Sequence, residues 1–289
     1  MDANNAIQFG QLVAAAYTVA PTDLSQEAGK TIPASFDPYG NNYSVITTIY
    51  SNDLATDMNP DRDKHVVSFG YVLQDKNRNV VIVIRGTSGI WEWVHDAEFL
   101  YVPCPVTSGA GSTDDGFTAI YKALSVDALL QNSLVASLAT LKFNLPVNSI
   151  TICGHSLGAA LATIAALDVT ANTSFKNPTA YTYASPRTGD PAFASAYNRS
   201  VPNTFRIANR SDVVPMLPLP PMYEHVLGLV ELNTAGTGNP PSVLVNYSIP
   251  CEHMLTTYLY LLGRLPGVTS QQVPLDASCQ PKSLPTALY

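Results

Sequence analysis

Charge is scarce in this chain. Only 13% of its 289 residues are acidic or basic, and the balance is −7. That excludes a nucleic-acid partner, which calls for a basic stripe. Long apolar runs are missing too: none reaches the roughly 20 residues that a membrane span needs. Met1-Asp2-Ala3-Asn4-Asn5 has no basic leader, and no apolar segment follows it. The chain as given therefore reads as lacking a signal peptide, whether it is intracellular or a mature form. The four cysteines, Cys104, Cys153, Cys251 and Cys279, form no C-x-x-C or zinc spacing. Cys153 falls inside an apolar strand pattern and reads as a buried free thiol. Cys251 and Cys279 could pair in a secreted protein, so the compartment stays open. Tryptophan occurs only twice, at Trp91 and Trp93.

What is present is apolar. Hydrophobic residues make up 46% of the chain and the mean hydropathy is +0.08. Such a chain has a large core, a lipid-facing surface, or both. Its length admits one large domain or two small ones.

The pattern of elements favours one domain over 1–289. Residues 6–18 place apolar side chains at helical spacing. Tyr43–Ser51 and His65–Gln74 read as strands, separated by a loop with Asp53, Asp57, Asp61 and Asp63. That loop lacks the central glycine and terminal glutamate of a helix-loop-helix calcium site and reads as solvated. Asn77-Arg78-Asn79 turns into Val80–Ile84, a continuous apolar run suited to a strand buried on both faces. A helical pattern over Asp114–Phe143 predicts one long helix or two abutting ones, stopped by Pro146. Further strands are expected at Ser149–Cys153, Thr179–Ala184 and Thr204–Ala208, with a helix around Pro191–Tyr197 and another over Leu255–Leu262. Strand, helix and strand in alternation imply a doubly wound α/β fold with a mostly parallel central sheet flanked by helices. Sites in such sheets lie beyond the carboxyl ends of the strands.

The chemistry centres on Gly154-His155-Ser156-Leu157-Gly158, a G-x-S-x-G pattern between a strand and an Ala- and Leu-rich helix. This is the arrangement of a nucleophile elbow, in which the serine hydroxyl is pushed out on a strained turn. A Cβ at 154 or 158 would crowd the neighbouring strand and helix. A serine needs a base, and the base an orienting acid. Elbow enzymes supply them in the order Ser, Asp or Glu, His. Asp212 enters an apolar run where an unpaired charge would be costly. Its rival, Asp190, precedes Pro191 and reads as a helix cap. His253, on a loop leading into a helix, comes last in the order and is favoured over His225, which reads as a structural residue of the site wall. His65 and His95 precede the serine and break the order, and the side chain of His155 is expected to point away from Ser156. The backbone N–H of Leu157 and the residue Thr87, after an earlier central strand, are placed to stabilise an oxyanion. Ile90, Trp91, Trp93 and Val94, behind the Gly- and Ser-containing turn at 86–89, read as a mobile flap. The run Val213–Met222 is expected to line an acyl groove, with Val214, Leu217, His225 and Met254 as candidate groove residues.

These stretches together resemble the class 3 lipase family, the filamentous-fungal lipase type that also includes feruloyl esterases. The likeness rests on Leu12–Tyr17, V-I-V-I-R-G-T-S-G-I-W-E-W-V-H-D, G-H-S-L-G-A-A-L-A, Y-A-S-P-R-T-G-D-P-A-F, F-R-I-A-N-R-S-D-V-V-P-M-L-P and C-E-H-M-L-T-T-Y, in family order. It implies an α/β-hydrolase fold, a Ser156–Asp212–His253 triad, an oxyanion hole at Thr87 and Leu157, and a helical lid about 88–99 with Trp93 at the lid tryptophan position. It implies a lipase on acylglycerol esters that meets a lipid–water interface, with no cofactor and no metal, monomeric and secreted; without secretion, the chain would be cytoplasmic. The alternatives are a feruloyl-type or short-chain esterase and a non-catalytic lipid-binding module. The chain departs from the family pattern in three places. Asp114-Asp115-Gly116-Phe117 has no histidine where the family usually reads His-x-Gly-Phe, the N-terminus has no cysteine, and Val102–Ser112 is an unusual insertion.

Overall fold

The structure, a computed structural model, describes residues 1–18, 36–37, 40–52, 66–87, 99–127, 132–138, 140–234, 248–270 and 272–280. The expected flap residues Ile90, Trp91, Trp93 and Val94, the Asp-rich loop, His65 and His95 lie outside them.

The apolar runs found in the sequence become one seven-stranded sheet. Its strands are β1 (Ser44–Asn52), β2 (Val66–Gln74), β3 (Asn79–Ile84), β6 (Ser149–His155), β7 (Thr179–Tyr183), β8 (Thr204–Asn209) and β9 (Leu229–Leu232), side by side in that order. A separate ribbon pairs β4 (Tyr101–Pro103) with β5 (Ser112–Asp114). β1, β2 and β3 pair antiparallel through short-range connections. From β3 to β9 every pairing is parallel, so the strands point the same way and their carboxyl ends share one edge. The helices are α1 (Ala3–Thr18), α2 (Asp115–Ala123), α3 (Leu134–Leu138), α4 (Leu157–Asn172), α5 (Pro191–Ser200), α6 (Ile249–His253) and α7 (Leu255–Leu262).

Side-chain alternation along the strands sorts the core into two halves. Val80, Ile82 and Ile84 of β3 and Ile150 and Ile152 of β6 pack with Leu157, Leu161 and Ile164 of α4 and Phe193 and Tyr197 of α5. Val81, Val83, Cys153, Tyr181 and Tyr183 pack on the opposite face with Ile7, Leu12 and Val13 of α1 and Tyr258, Leu259 and Leu262 of α7. The next residue on the Cys153 side of β6 is His155, which therefore projects toward α1 and α7.

The helical pattern over Asp114–Phe143 is interrupted. α2 ends at Ala123, Leu124 turns to an extended conformation, and Ser125 exchanges both backbone hydrogen bonds with Tyr50 of edge strand β1, at 2.8 and 2.9 Å. An unpaired strand edge is a ready partner for extended chain, and here it outweighs helical periodicity. Leu141 and Phe143 lie beyond the short α3, outside any helix. The insertion at Val102–Ser112 spans the turn of the β4–β5 ribbon. Asp190 caps α5 by accepting from Phe193 N at 2.7 Å, and it also accepts from Ser112 N at 3.0 Å, so one carboxylate ties the ribbon to the helix.

Candidate active site

The turn from β6 to α4 is held very tightly. Ser156 has φ 60° and ψ −128°, a left-handed conformation that costs a non-glycine residue free energy and persists only where the surroundings impose it. They do so at close range. A Cβ on Gly154 would lie 2.2 Å from Gly158 O, and one on Gly158 would lie 2.4 Å from both Ile84 O and Arg85 O. The two glycines let strand, turn and helix meet without side chains between them. Ser156 N donates to Tyr183 O at 2.9 Å, which locks the turn to β7.

Three side chains from distant parts of the chain converge at this edge. His253 Nε2 lies 2.9 Å from Ser156 Oγ, and His253 Nδ1 lies 2.8 Å from Asp212 Oδ2. A carboxylate can only accept, so Nδ1 carries the ring proton and Nε2 faces the serine hydroxyl as an acceptor. Ser156 and Asp212 are each 1% exposed and His253 5%. His225, the other downstream histidine, sits elsewhere. Its ring donates from Nε2 to Pro215 O at 2.7 Å, and burial, helped by the charge of Arg206, pushes its pKa down to about 3. It pins the short 3₁₀ turn Val214–Met216 as a neutral imidazole.

Asp212 has further partners that the sequence reading did not find. Tyr258 of α7 donates its hydroxyl to Asp212 Oδ2 at 2.8 Å and accepts from Asn209 N at 3.0 Å. Val214 N donates to Asp212 Oδ1 at 3.0 Å. Asn209 reaches the other way, donating to Glu252 O at 3.1 Å and to Glu252 Oε2 at 2.8 Å. Thr234 also donates to that Oε2. The peptide just before His253 is thus fastened to the end of β8. Tyr258 stands in the C-E-H-M-L-T-T-Y stretch, so its position was legible but its role needed the fold. Desolvation, with the adjacent Asp212 charge, drives the Tyr258 phenol well above its ordinary range, so it stays a donor.

Thr87 follows β3 on the segment Arg85–Gly86–Thr87 and is buried. Leu157 opens α4 and is buried, in the first turn, where helix N–H groups lack partners within the helix. Of the expected groove residues, Val214 is fully buried beside Asp212, and Leu217 and Met254 are half-buried. Met254 packs on the cluster formed by Cys251, Leu275 and Cys279. Cys251 and Cys279 form a disulfide, and Cys104 and Cys153 are free and buried. Among the described residues no group of His, Cys, Asp and Glu is arranged to hold a metal ion, and no helix is long and apolar enough to cross a membrane.

Known proteins share this framework. Residues 81–222 match the family model described as lipase (class 3). A phospholipase A1-II 1 of Oryza sativa subsp. indica is 32% identical over 258 residues, covering 74% of this chain and 65% of its own length. The secreted mono- and diacylglycerol lipase A of Penicillium cyclopium is 35% identical over 159 residues, 54% of this chain and 49% of its own. The chain thus spans about half to two thirds of the curated relatives it matches. The crystal structure of mono- and diacylglycerol lipase from Aspergillus oryzae superposes with a TM-score of 0.62 at 25% identity, over 83% of this chain and 82% of that one. Residues 81–222 thus carry the likeness to the class 3 lipase family, and the chain has the α/β-hydrolase fold of these lipases.

Proposed function

We propose that this chain is a serine carboxylester hydrolase acting on lipid esters. The observation that carries the reading is the single imidazole of His253, within hydrogen-bond reach of Ser156 Oγ on one side and Asp212 on the other. Ser156 Oγ attacks the ester carbonyl as His253 Nε2 takes its proton. Asp212 holds Nδ1–H and stabilises the imidazolium. Leu157 N–H and Thr87 receive the oxyanion, with the N-terminal end of α4 adding favourable potential. His253 then protonates the departing alcohol, and water releases the acyl group by the same route.

The substrate reading follows the relatives: one is named a mono- and diacylglycerol lipase and another a phospholipase A1. Both names point to an acyl ester of glycerol, and we take acylglycerols as the substrate class. A panel of diacylglycerol, phosphatidylcholine, a short-chain p-nitrophenyl ester and methyl ferulate tests it. The expected order puts diacylglycerol first, and methyl ferulate as the best substrate would replace the lipase reading with a feruloyl esterase.

Two further expectations belong to this reading. The disulfide supports passage through an oxidising compartment, in keeping with a secreted, monomeric enzyme that works at a lipid–water interface. The near-complete burial of Ser156 supports a segment that must uncover it, and the tryptophan-bearing stretch about 88–99 is the candidate. Since the chain has only Trp91 and Trp93, its tryptophan emission should shift on adding lipid micelles. An unchanged spectrum alongside active turnover would remove that role.

A further inference from the structure

The residue just before the nucleophile is itself bound at both ring nitrogens. His155 Nε2 lies 2.9 Å from the backbone O of His253, and His155 Nδ1 lies 2.9 Å from Tyr17 Oη. Tyr17 Oη in turn accepts from Gly86 N at 2.8 Å. The proton positions follow from chemistry. A carbonyl only accepts, so His155 Nε2 bears the hydrogen; a neutral ring then leaves Nδ1 as an acceptor, which Tyr17 O–H must fill. The result is a one-way series: Gly86 N–H to Tyr17 Oη, Tyr17 O–H to His155 Nδ1, His155 Nε2–H to His253 C=O. The ring does stay neutral, since burial, reinforced by the neighbouring His253, lowers its pKa to about 3.

The series joins the two sides of the reaction centre. At one end is the peptide immediately before Thr87, at the other the backbone of the residue whose ring faces Ser156. Gly86 is what permits the approach, since a Cβ there would sit 2.6 Å from Tyr17 Oη and 2.7 Å from His155 O. The His155 and His253 rings are themselves packed 4.9 Å apart. Tyr17 is 37% exposed, yet its hydroxyl is spent on inward bonds.

We propose that Tyr17 and His155 are positioning residues: together they form a strut that sets the spacing between the Gly86–Thr87 segment and the His253 backbone, and so the geometry in which Ser156 is deprotonated and the oxyanion received. The proposal rests on the hydrolase reading above for its kinetic consequence, but not for the bonds themselves.

The test uses the full chain with Tyr17→Phe, His155→Gln and His155→Leu. Phenylalanine at the part-exposed position 17 keeps the ring and removes only the hydroxyl. Glutamine retains one acceptor and one donor, and leucine retains neither. The expected result is a kcat about tenfold lower in Tyr17→Phe and lower again in His155→Leu, with KM within twofold of wild type and partial rescue in His155→Gln. Imidazole 15N spectra give a readout independent of turnover. His155 should appear as the Nε2–H tautomer and stay unprotonated between pH 5 and 8, facing Tyr17 from α1, His253 from α6 and Tyr258 from α7. Its Nδ1 signal should move in Tyr17→Phe, and the His253 signals should move in both Tyr17→Phe and His155→Leu. Wild-type kcat in Tyr17→Phe and His155→Leu with only a lower Tm, or an Nδ1–H tautomer at His155, overturns the proposal. If wild type cleaves no ester while the His253 signals respond as stated, the hydrolase reading fails and the strut stands.

Discussion

The two faces of the central sheet are built to different rules. On the α4 side Ile82, Ile84, Ile152, Leu161 and Ile164 meet as hydrocarbon, and the polar contacts of that face, such as Tyr197 with Thr204 and Tyr121 with Asp168, join none of Ser156, Asp212 or His253. On the α1 and α7 side the packing is threaded with hydroxyls, imidazoles and amides: Tyr183 donates its hydroxyl to Ala6 O, and Tyr258, His155 and Asn209 make the bonds described for them. The lesson is a division of labour within one sheet. Both faces bury apolar side chains, and the α1 and α7 face also carries the polar groups that fasten His253 and Asp212 in place.

The sharpest way to separate turnover from stability is Ser156→Ala. Ester hydrolysis should fall by roughly 10⁶-fold, as for other triads whose nucleophile is removed, with no loss of Tm; retained p-nitrophenyl ester activity would end the assignment. Next comes a matched pair, one substitution on each face. Leu161→Ala on the hydrocarbon side should cost about 2–5 kcal/mol of stability through transfer and cavity effects, leaving kcat near wild type in the folded fraction. Tyr258→Phe on the polar side should cost about 1 kcal/mol or slightly more but lower kcat about tenfold by loosening Asp212. Urea unfolding and kcat measured on both variants decide it, and similar kcat losses in the two would erase the distinction between the faces.

A further effect is expected on the pH dependence of stability, and its His155 part belongs to the polar face. His155 has its pKa lowered from 6.5 to about 3, by burial first and His253 second. Between those values the unfolded chain binds a proton that the folded chain does not. The stabilisation is therefore complete above about pH 6.5 and is lost as pH falls toward 3, by up to about 1.4 kcal/mol per pH unit for one such group. His225, lowered in the same way, adds to it. Asp114, raised chiefly by burial, works in the opposite sense. Urea midpoints at pH 7 and pH 5 should differ in favour of pH 7, and His155→Gln should flatten the slope.

How much of this was legible beforehand follows the same division. Apolar runs located β3, β6, β7 and β8 within two residues, and motif order singled out Ser156, Asp212 and His253 because their types and sequence carry the chemistry. The structure brings those three together. What escaped was long-range and polar. Nothing local says that Tyr17 reaches His155 or that Tyr258 reaches Asp212, since both contacts depend on how α1 and α7 dock. The end of α2 was missed for a related reason: Ser125 is claimed by the β1 edge, a partner that no window of helical spacing reveals. The β4–β5 ribbon lies in an insertion with no strand periodicity to betray it.

The bridge from Cys251 to Cys279 closes a ring of chain with a sequence separation of 28, and His253 stands just inside that ring. Linking the ends of such a loop typically adds about 2–4 kcal/mol by restricting the unfolded chain. A cell whose cytosol keeps thiols reduced would deliver the same polypeptide with this ring open and the helix that ends at His253 without its covalent tether. The choice of expression host is then a chemical variable of the protein itself.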